Sequence, residues 1–212
     1  MPTATTSKRR TRLDPGVRQD QILDHTARLI AAEGISAVSM ERVAQESGVS
    51  KALIYSYFSS QTNLLKSLLR RDLERVQRDQ LHAATSAQTF PELVRNTTHT
   101  ALVEVEKRGA YLRRLLNEPA LSGVGDTVRT HEHDSNVRYL AKRLAKEFNI
   151  SVGDALRLTE IGLGLTIAAG EYIQRAAAAR AEIEELTVSM IIGAVKAGAA
   201  QCRRRAVRER KR

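Results

Sequence analysis

A chain of 212 residues, 42% hydrophobic but only 4% aromatic and without Trp, has the length for one or two domains with aliphatic cores. Its one cysteine, Cys202, excludes an intrachain disulfide, and no run reaches the ~18 consecutive apolar residues of a membrane span. The formal charge of +10 points to an anionic partner.

That charge is unevenly placed. Lys8, Arg9, Arg10 and Arg12 make the first twelve residues basic, and residues 203–212 set seven cations against Glu209. The two ends account for the whole excess. Residues 13–60 are slightly acidic, with Arg18, Arg28, Arg42 and Lys51 against six carboxylates. Phosphate neutralisation drives non-specific DNA binding, so much of it would have to come from flexible ends.

Residues 1–15 form a basic arm expected to be disordered, closing in the turn signal Asp14-Pro15-Gly16. Arg9, Arg10 and Arg12 suit phosphates or a minor groove; a solubilising tail is the plainer reading. The arm lacks the apolar stretch of a secretory signal, and with a single cysteine the expected setting is the reducing cytoplasm.

A first helix is expected over residues 17–32, with Ile22, Leu23, Ala27, Leu29 and Ile30 as its apolar stripe and Gly34 closing it. Ser39 is an N-cap ahead of Met40, Val43 and Ala44 at helical spacing. Gly48 permits a tight turn, and Ser50 caps a second short helix. In that helix Ile54 and Phe58 continue an apolar row, and Lys51 and Ala52 open the exposed first turn. Two short amphipathic helices across Ser47-Gly48-Val49 make a helix-turn-helix, although spacing alone equally describes an ordinary helical hairpin.

The run Ser39-Met40-Glu41-Arg42-Val43-Ala44, then Gly48-Val49-Ser50-Lys51 and Ile54-Tyr55-Ser56-Tyr57-Phe58, resembles the tetracycline-repressor (TetR) family of bacterial regulators. Arg18, Ile22-Leu23, Ala27, Leu29-Ile30 and Glu33-Gly34 resemble that family's first helix, so the likeness covers residues 16–65. It implies a transcriptional regulator that binds a double-stranded, near-palindromic DNA operator, as a dimer formed through its last two long helices. Carried onto this sequence, it implies that Lys51, Ala52, Leu53 and Ser56 read bases and that Tyr55 and Tyr57 hold phosphates. Ser39, Arg42 and Ser50, at the helix starts, complete the expected DNA-binding set. Leu53 departs from the small or hydroxylated residue common in relatives; it suits either a thymine methyl or the core. Gln61 stands where the family commonly has Lys, which removes one phosphate contact.

Beyond Ser59-Ser60 a long fourth helix is expected from Gln61, striped by Leu64, Leu65, Leu68, Leu69, Leu73 and Val76. A larger helical domain for connection, effector binding and dimerisation is expected over residues 61–202, ahead of an Arg-rich tail. Within it Pro91 opens a helix capped by Thr89, a separate short helix covers residues 110–116, and another spans 127–148. Expected last are the pair at residues 156–178 and 183–202. The whole reads as an all-α fold of about nine helices, with an N-terminal three-helix head over residues 16–60.

The final pair holds five interior glycines, each costing roughly 1 kcal/mol against Ala in a helix, so they need a packing reason. Close approach to a second copy in a four-helix interface is one, and close packing within one subunit is the other. Gly162, Leu165, Ala169, Ile192, Gly193, Lys196, Ala197 and Ala200 are the candidate dimer residues. Tyr111, Leu112, Leu115, Leu116, Tyr139, Phe148, Leu165 and Ile173, with Glu171 as a polar anchor, are candidates for a small apolar effector, though such stripes also build plain core.

Enzymatic signals are missing: the five histidines accompany no nucleophile elbow and no Gly-rich phosphate loop, so no catalytic residue and no cofactor is expected. His131-Glu132-His133-Asp134 places potential ligands at i and i+2, on different sides of a helix, and no metal site is expected there. The expected function is a ligand-responsive repressor. The rival is a sequence-indifferent architectural DNA-binding protein that uses its basic ends.

Overall fold

The computed structural model describes residues 14–124, 134–176 and 179–209. Among these are eight α-helices and two short 3-10 turns, and no strand. In chain order the helices are α1 (Pro15–Glu33), α2 (Met40–Ser47), α3 (Lys51–Tyr57), α4 (Gln61–Ser86), α5 (Phe90–Leu116), α6 (Asp134–Phe148), α7 (Val152–Ala176) and α8 (Arg180–Glu209). The chain divides between Leu68 and Leu69 into two compact units.

The smaller unit is assembled from short-range signals. Asp14 accepts from the Gly16 amide at 2.8 Å and Pro15 presets the first turn of α1. One face of α1 buries Ile22, Leu23, Leu29 and Ile30, and Thr26 satisfies its buried hydroxyl by donating to the Ile22 carbonyl at 2.9 Å. Val38 ahead of α2, Met40, Val43 and Ala44 from α2, Ile54 from α3, and Phe58, Leu64, Leu65 and Leu68 beyond it are the unit's other buried apolar side chains.

In the larger unit, a capping box in which Thr89 and Glu92 exchange hydrogen bonds starts α5. Phe90 meets Phe148 edge-on at 5.0 Å, and Val94, Ala141, Leu144, Ala155, Val188 and Ile191 close around them. Arg143 donates to the Ala84 and Ala87 carbonyls at 2.8 and 3.0 Å, holding the end of α4. Buried Asp72 takes a hydrogen bond from the Tyr111 hydroxyl and one from Arg71 Nε at 3.0 Å. Burial, and then that bond to Asp72, push the Tyr111 hydroxyl well above the usual phenol value.

Three features differ from the sequence reading. The segment 110–116 is not a separate helix: α5 runs unbroken through Gly109, where a Cβ would lie 1.8 Å from Gln174 Nε2. That amide instead reaches across the glycine and donates to the Val105 carbonyl at 3.1 Å. The basic tail is helical through Glu209, because Arg203 donates to the Phe148 carbonyl at 2.7 Å and Arg205 pairs with Asp154 at 2.7 Å. The α7 and α8 glycines do not act as one set. Gly162 faces Ile191, Gly170 faces Val105 and Gly198 faces Leu158, all within the chain, whereas Gly164 and Gly193 face open space.

Candidate nucleic-acid interface

The turn between α2 and α3 is fixed by its ends. Ser39 accepts from the Arg42 amide at 3.1 Å, and Ser50 accepts from the Leu53 amide at 3.2 Å. Gly48 closes α2 at φ 63°, ψ 32°, a left-handed conformation that a residue with a Cβ adopts only at a cost. Its amide and that of Val49 return to carbonyls of α2, which seals the helix end.

This geometry sorts the residues of α3. Ile54 and the following Phe58 are completely buried, which anchors the helix from beneath. Lys51, Ala52, Tyr55 and Ser56, at relative positions 0, 1, 4 and 5, share the opposite face and are exposed. Leu53 and Tyr57 are half-buried at the margins of that face. Ser56 returns its hydroxyl to the Leu53 carbonyl at 2.7 Å and can still accept a hydrogen bond. Exposed Ser39 lies at the start of α2 with Arg42 one turn in, so the sequence candidates of this region lie on α3 and the start of α2. Arg9, Arg10 and Arg12 lie outside the described residues.

The cations here are engaged with carboxylates. Arg42 spans Glu33 at 2.8 Å and Glu46 at 3.1 Å, and Lys51 stands 3.6 Å from Glu41. All of these groups are substantially exposed, and such pairs are worth about 0–1 kcal/mol, so a phosphate oxygen can displace the carboxylates at little cost. The Arg42–Glu33 pair is not legible in the sequence, since Glu33 meets Arg42 only after α1 and α2 have packed, whereas Glu46 at i+4 is a local partner. His25, half-buried on α1, is shifted below the usual imidazole value by burial and then by Arg28.

In the larger unit a cavity of about 60 Å³ is lined by α5, α6, α7 and α8 side chains, among them Phe90, Thr98, Leu144, Leu163, Thr166 and Val195. The sequence candidates for an effector lie elsewhere. Tyr111 is committed to Asp72, and Leu115 and Ile173 are buried outside the lining, while Leu112 and Leu116 are half-buried. Tyr139, Phe148 and Leu165 pack against the core, and Glu171 is exposed. The polar groups lining this cavity are threonines within apolar stripes: Thr97 and Thr98 beside Leu93 and Val94, and Thr159 and Thr166 beside Gly162 and Leu163.

The proposed dimer residues divide too. Gly193, Lys196 and Ala197 are exposed; Leu165, Ala169, Ile192 and Ala200 are half-buried; Gly162 is buried. Neighbouring Ile161, Ile167, Leu186 and Met190 are about half exposed or more, at 62%, 61%, 55% and 49%. Among the described residues no group of three His, Cys, Asp or Glu side chains is arranged to hold a metal ion, and no helix is long and apolar enough to cross a membrane. The run 131–134 lies outside those residues, apart from the backbone of Asp134 at the start of α6.

Residues 22–68 match the family described as bacterial regulatory proteins, tetR family. The chain is 35% identical over 92 residues to the HTH-type transcriptional regulator BetI of Rhizobium meliloti (strain 1021), a match covering 43% of each protein. It is 41% identical over 59 residues to the HTH-type transcriptional repressor KstR of Rhodococcus jostii (strain RHA1), covering 28% of each. The matched stretch thus spans less than half the length of these relatives. Beyond it the likeness is one of fold: a crystal structure of a candidate transcriptional regulator from Pseudomonas aeruginosa PAO1 superposes with a TM-score of 0.74 at 18% identity. That alignment covers 93% of this chain and 98% of the other.

Proposed function

Because the chain belongs, through residues 22–68, to the tetR family of bacterial regulatory proteins, we propose that it is a sequence-specific DNA-binding transcriptional regulator acting as a dimer on a near-palindromic operator. The observation that carries the reading is the sorting of α3, with Ile54 and Phe58 buried and Lys51, Ala52, Tyr55 and Ser56 on the free face. On DNA, Lys51, Ala52 and Ser56 meet base edges, with Leu53 at the margin. Tyr55, Tyr57 and the start of α2, with Ser39 and Arg42, hold phosphates. Residues 13–60 are net acidic, so Arg9, Arg10 and Arg12 supply the additional charge as an arm.

Dimerisation uses the outward stripe Leu186, Met190, Gly193 and Ala197 of α8 together with Gly164 and Ile167 of α7, an apolar surface of the kind that marks association. Gly164 and Gly193, with open space in front of them, let the second copy approach closely. Repression and its release are read from KstR, described as a repressor, and from the apolar cavity bounded by α5 to α8. At about 60 Å³ that cavity is well below the ~300 Å³ of ordinary ligand sites, so a small apolar effector must enlarge it and thereby shift the helices that line it. Such a regulator works in the cytoplasm, which the single cysteine suits.

The test is selection of binding sites from randomised duplex DNA by the full-length protein, with and without residues 1–12. The reading predicts enrichment of a two-fold symmetric sequence, bound by a dimer in sedimentation, and weaker binding without the arm. Enrichment of no sequence would favour an architectural protein bound through its basic ends.

A further inference from the structure

An open recess of about 500 Å³ lies between the start of α7 and the end of α8, sharing only Leu158 of its lining with the cavity bounded by α5 to α8. Asp154, in the first turn of α7, is buried on its wall. Its carboxylate accepts from the Ser151 hydroxyl at 2.7 Å, Arg157 at 2.5 Å and Arg205 at 2.7 Å. The recess is therefore braced by a charge network that joins the two helices, and the outer faces of both guanidiniums remain exposed.

Two more arginines line the same space. Arg204 and Arg208 have neither a hydrogen bond nor an ion pair among the described residues. Four guanidiniums thus surround one carboxylate that already serves two of them. Glu209, 3.7 Å from Arg205, is the other carboxylate held near them. The beginning of α7 adds the positive end of its helix dipole. The wall between these charges is apolar, formed by Leu158, Ile161 and Gly198.

We propose that this recess binds a small organic phosphate, its phosphate group held by Arg204 and Arg208 beside Arg157 and Arg205, and its apolar portion lying on Leu158 and Ile161. A phosphate monoester matches the excess of positive charge better than a single carboxylate does, and guanidinium forks grip phosphate oxygens in pairs. The volume falls within the ~300–1,000 Å³ of small-molecule sites. The concave shape and apolar wall favour a small ligand over the backbone of a duplex.

Isothermal titration of the full-length protein with 1-naphthyl phosphate and with inorganic phosphate tests this directly. The naphthyl ester is expected to bind at least about tenfold more tightly than inorganic phosphate, because only it uses the apolar wall. The double variant R204Q/R208Q is expected to weaken the ester on the order of a hundredfold, roughly tenfold for each charge-assisted contact, with unchanged melting and sedimentation. Failure of both probes to bind, or equal binding by the variant, would overturn the proposal. A variant whose sedimentation changes assigns the recess to contact with a second copy. A variant that loses affinity for random duplex but not for the ester assigns it to DNA. Either result also overturns the small-molecule site.

Discussion

The reading head and the α7–α8 pair are both helical, but they are specified over different distances along the chain. In the head, each decisive contact joins near neighbours: Ser39 to Arg42, Ser50 to Leu53, and Gly48 at the turn between them. In the α7–α8 pair the decisive contacts are remote. Asp154 meets Arg205 across 51 positions, and Gly170 makes room for Val105 of α5. Local signals thus build a motif whose outer face is free for recognition. Remote contacts of small residues and ion pairs set how closely the long helices pack, and leave one face of them apolar and exposed.

The largest effect should come from the head's anchor. Ile54→Ala removes a completely buried side chain beneath α3 and is expected to destabilise the smaller unit by about 2–5 kcal/mol. Hydrogen exchange should show α1 to α3 opening more readily while α8 keeps its protection; equal loss in both would dissolve the distinction between the units. The counterpart in the larger unit is Gly170→Leu. An added side chain meets the Val105 methyls, 3.1 and 3.4 Å from the first new carbon, and overpacking costs about 1–3 kcal/mol. Thermal denaturation should fall for that unit and not for the head.

Two glycines sharpen the contrast at smaller magnitude. Gly48→Ala forces a Cβ into the left-handed turn and should cost about 1–2 kcal/mol, read from chemical denaturation of the head. Gly193→Ala enters open space on a helix and should stabilise an isolated chain by up to about 1 kcal/mol. Crowding at the proposed interface should make the same variant dissociate more readily in dilution sedimentation. A dimer unaffected by the larger Gly193→Leu would remove that glycine from the interface.

The two regions also respond to acid in different windows. The Ser151 hydroxyl, then Arg157, hold the Asp154 carboxyl at about 2 against an ordinary 3.8. The unfolded chain therefore takes up that proton first, so this contribution to stability is complete above about pH 4 and is lost as pH falls through 4 toward 2. Asp154→Asn should flatten that part of the curve. His25, kept below its ordinary 6.5 by burial and then by Arg28, acts at higher pH. Its unfolded form protonates more readily, so the head loses stability as pH drops below about 6.5, and His25→Gln removes the slope.

How legible each region is in the sequence follows from the same difference in distance. The caps, the turn glycine and the Ile54–Phe58 row are written within ten residues and are recovered as the structure has them. The sequence offers Arg42 a partner in Glu46 at i+4, whereas nothing local reveals Glu33 beside it. Composition marks the glycines of α7 and α8 as packing residues, but not which way each one points. Gly162 faces Ile191 inside the chain while Gly164, half a turn on, faces outward. The arginines after Cys202 suggest a loose tail, and only contact with Asp154 and the Phe148 carbonyl ties them into a helix. The expected short helix at 110–116 is instead the end of α5, and only the Gln174 side chain in the space of the missing Cβ shows why a glycine stands at 109.

The central claim is that the free face of α3 reads sequence, and the most direct measurement compares wild type with a Lys51→Ala/Tyr55→Phe variant in competition between the selected duplex and random duplex. The account predicts that the variant loses at least about tenfold in affinity for the selected site, much less for random DNA, and keeps its fold because neither side chain is buried. A variant that binds the selected duplex as tightly and as selectively as wild type would contradict the assignment of α3 as the reading element.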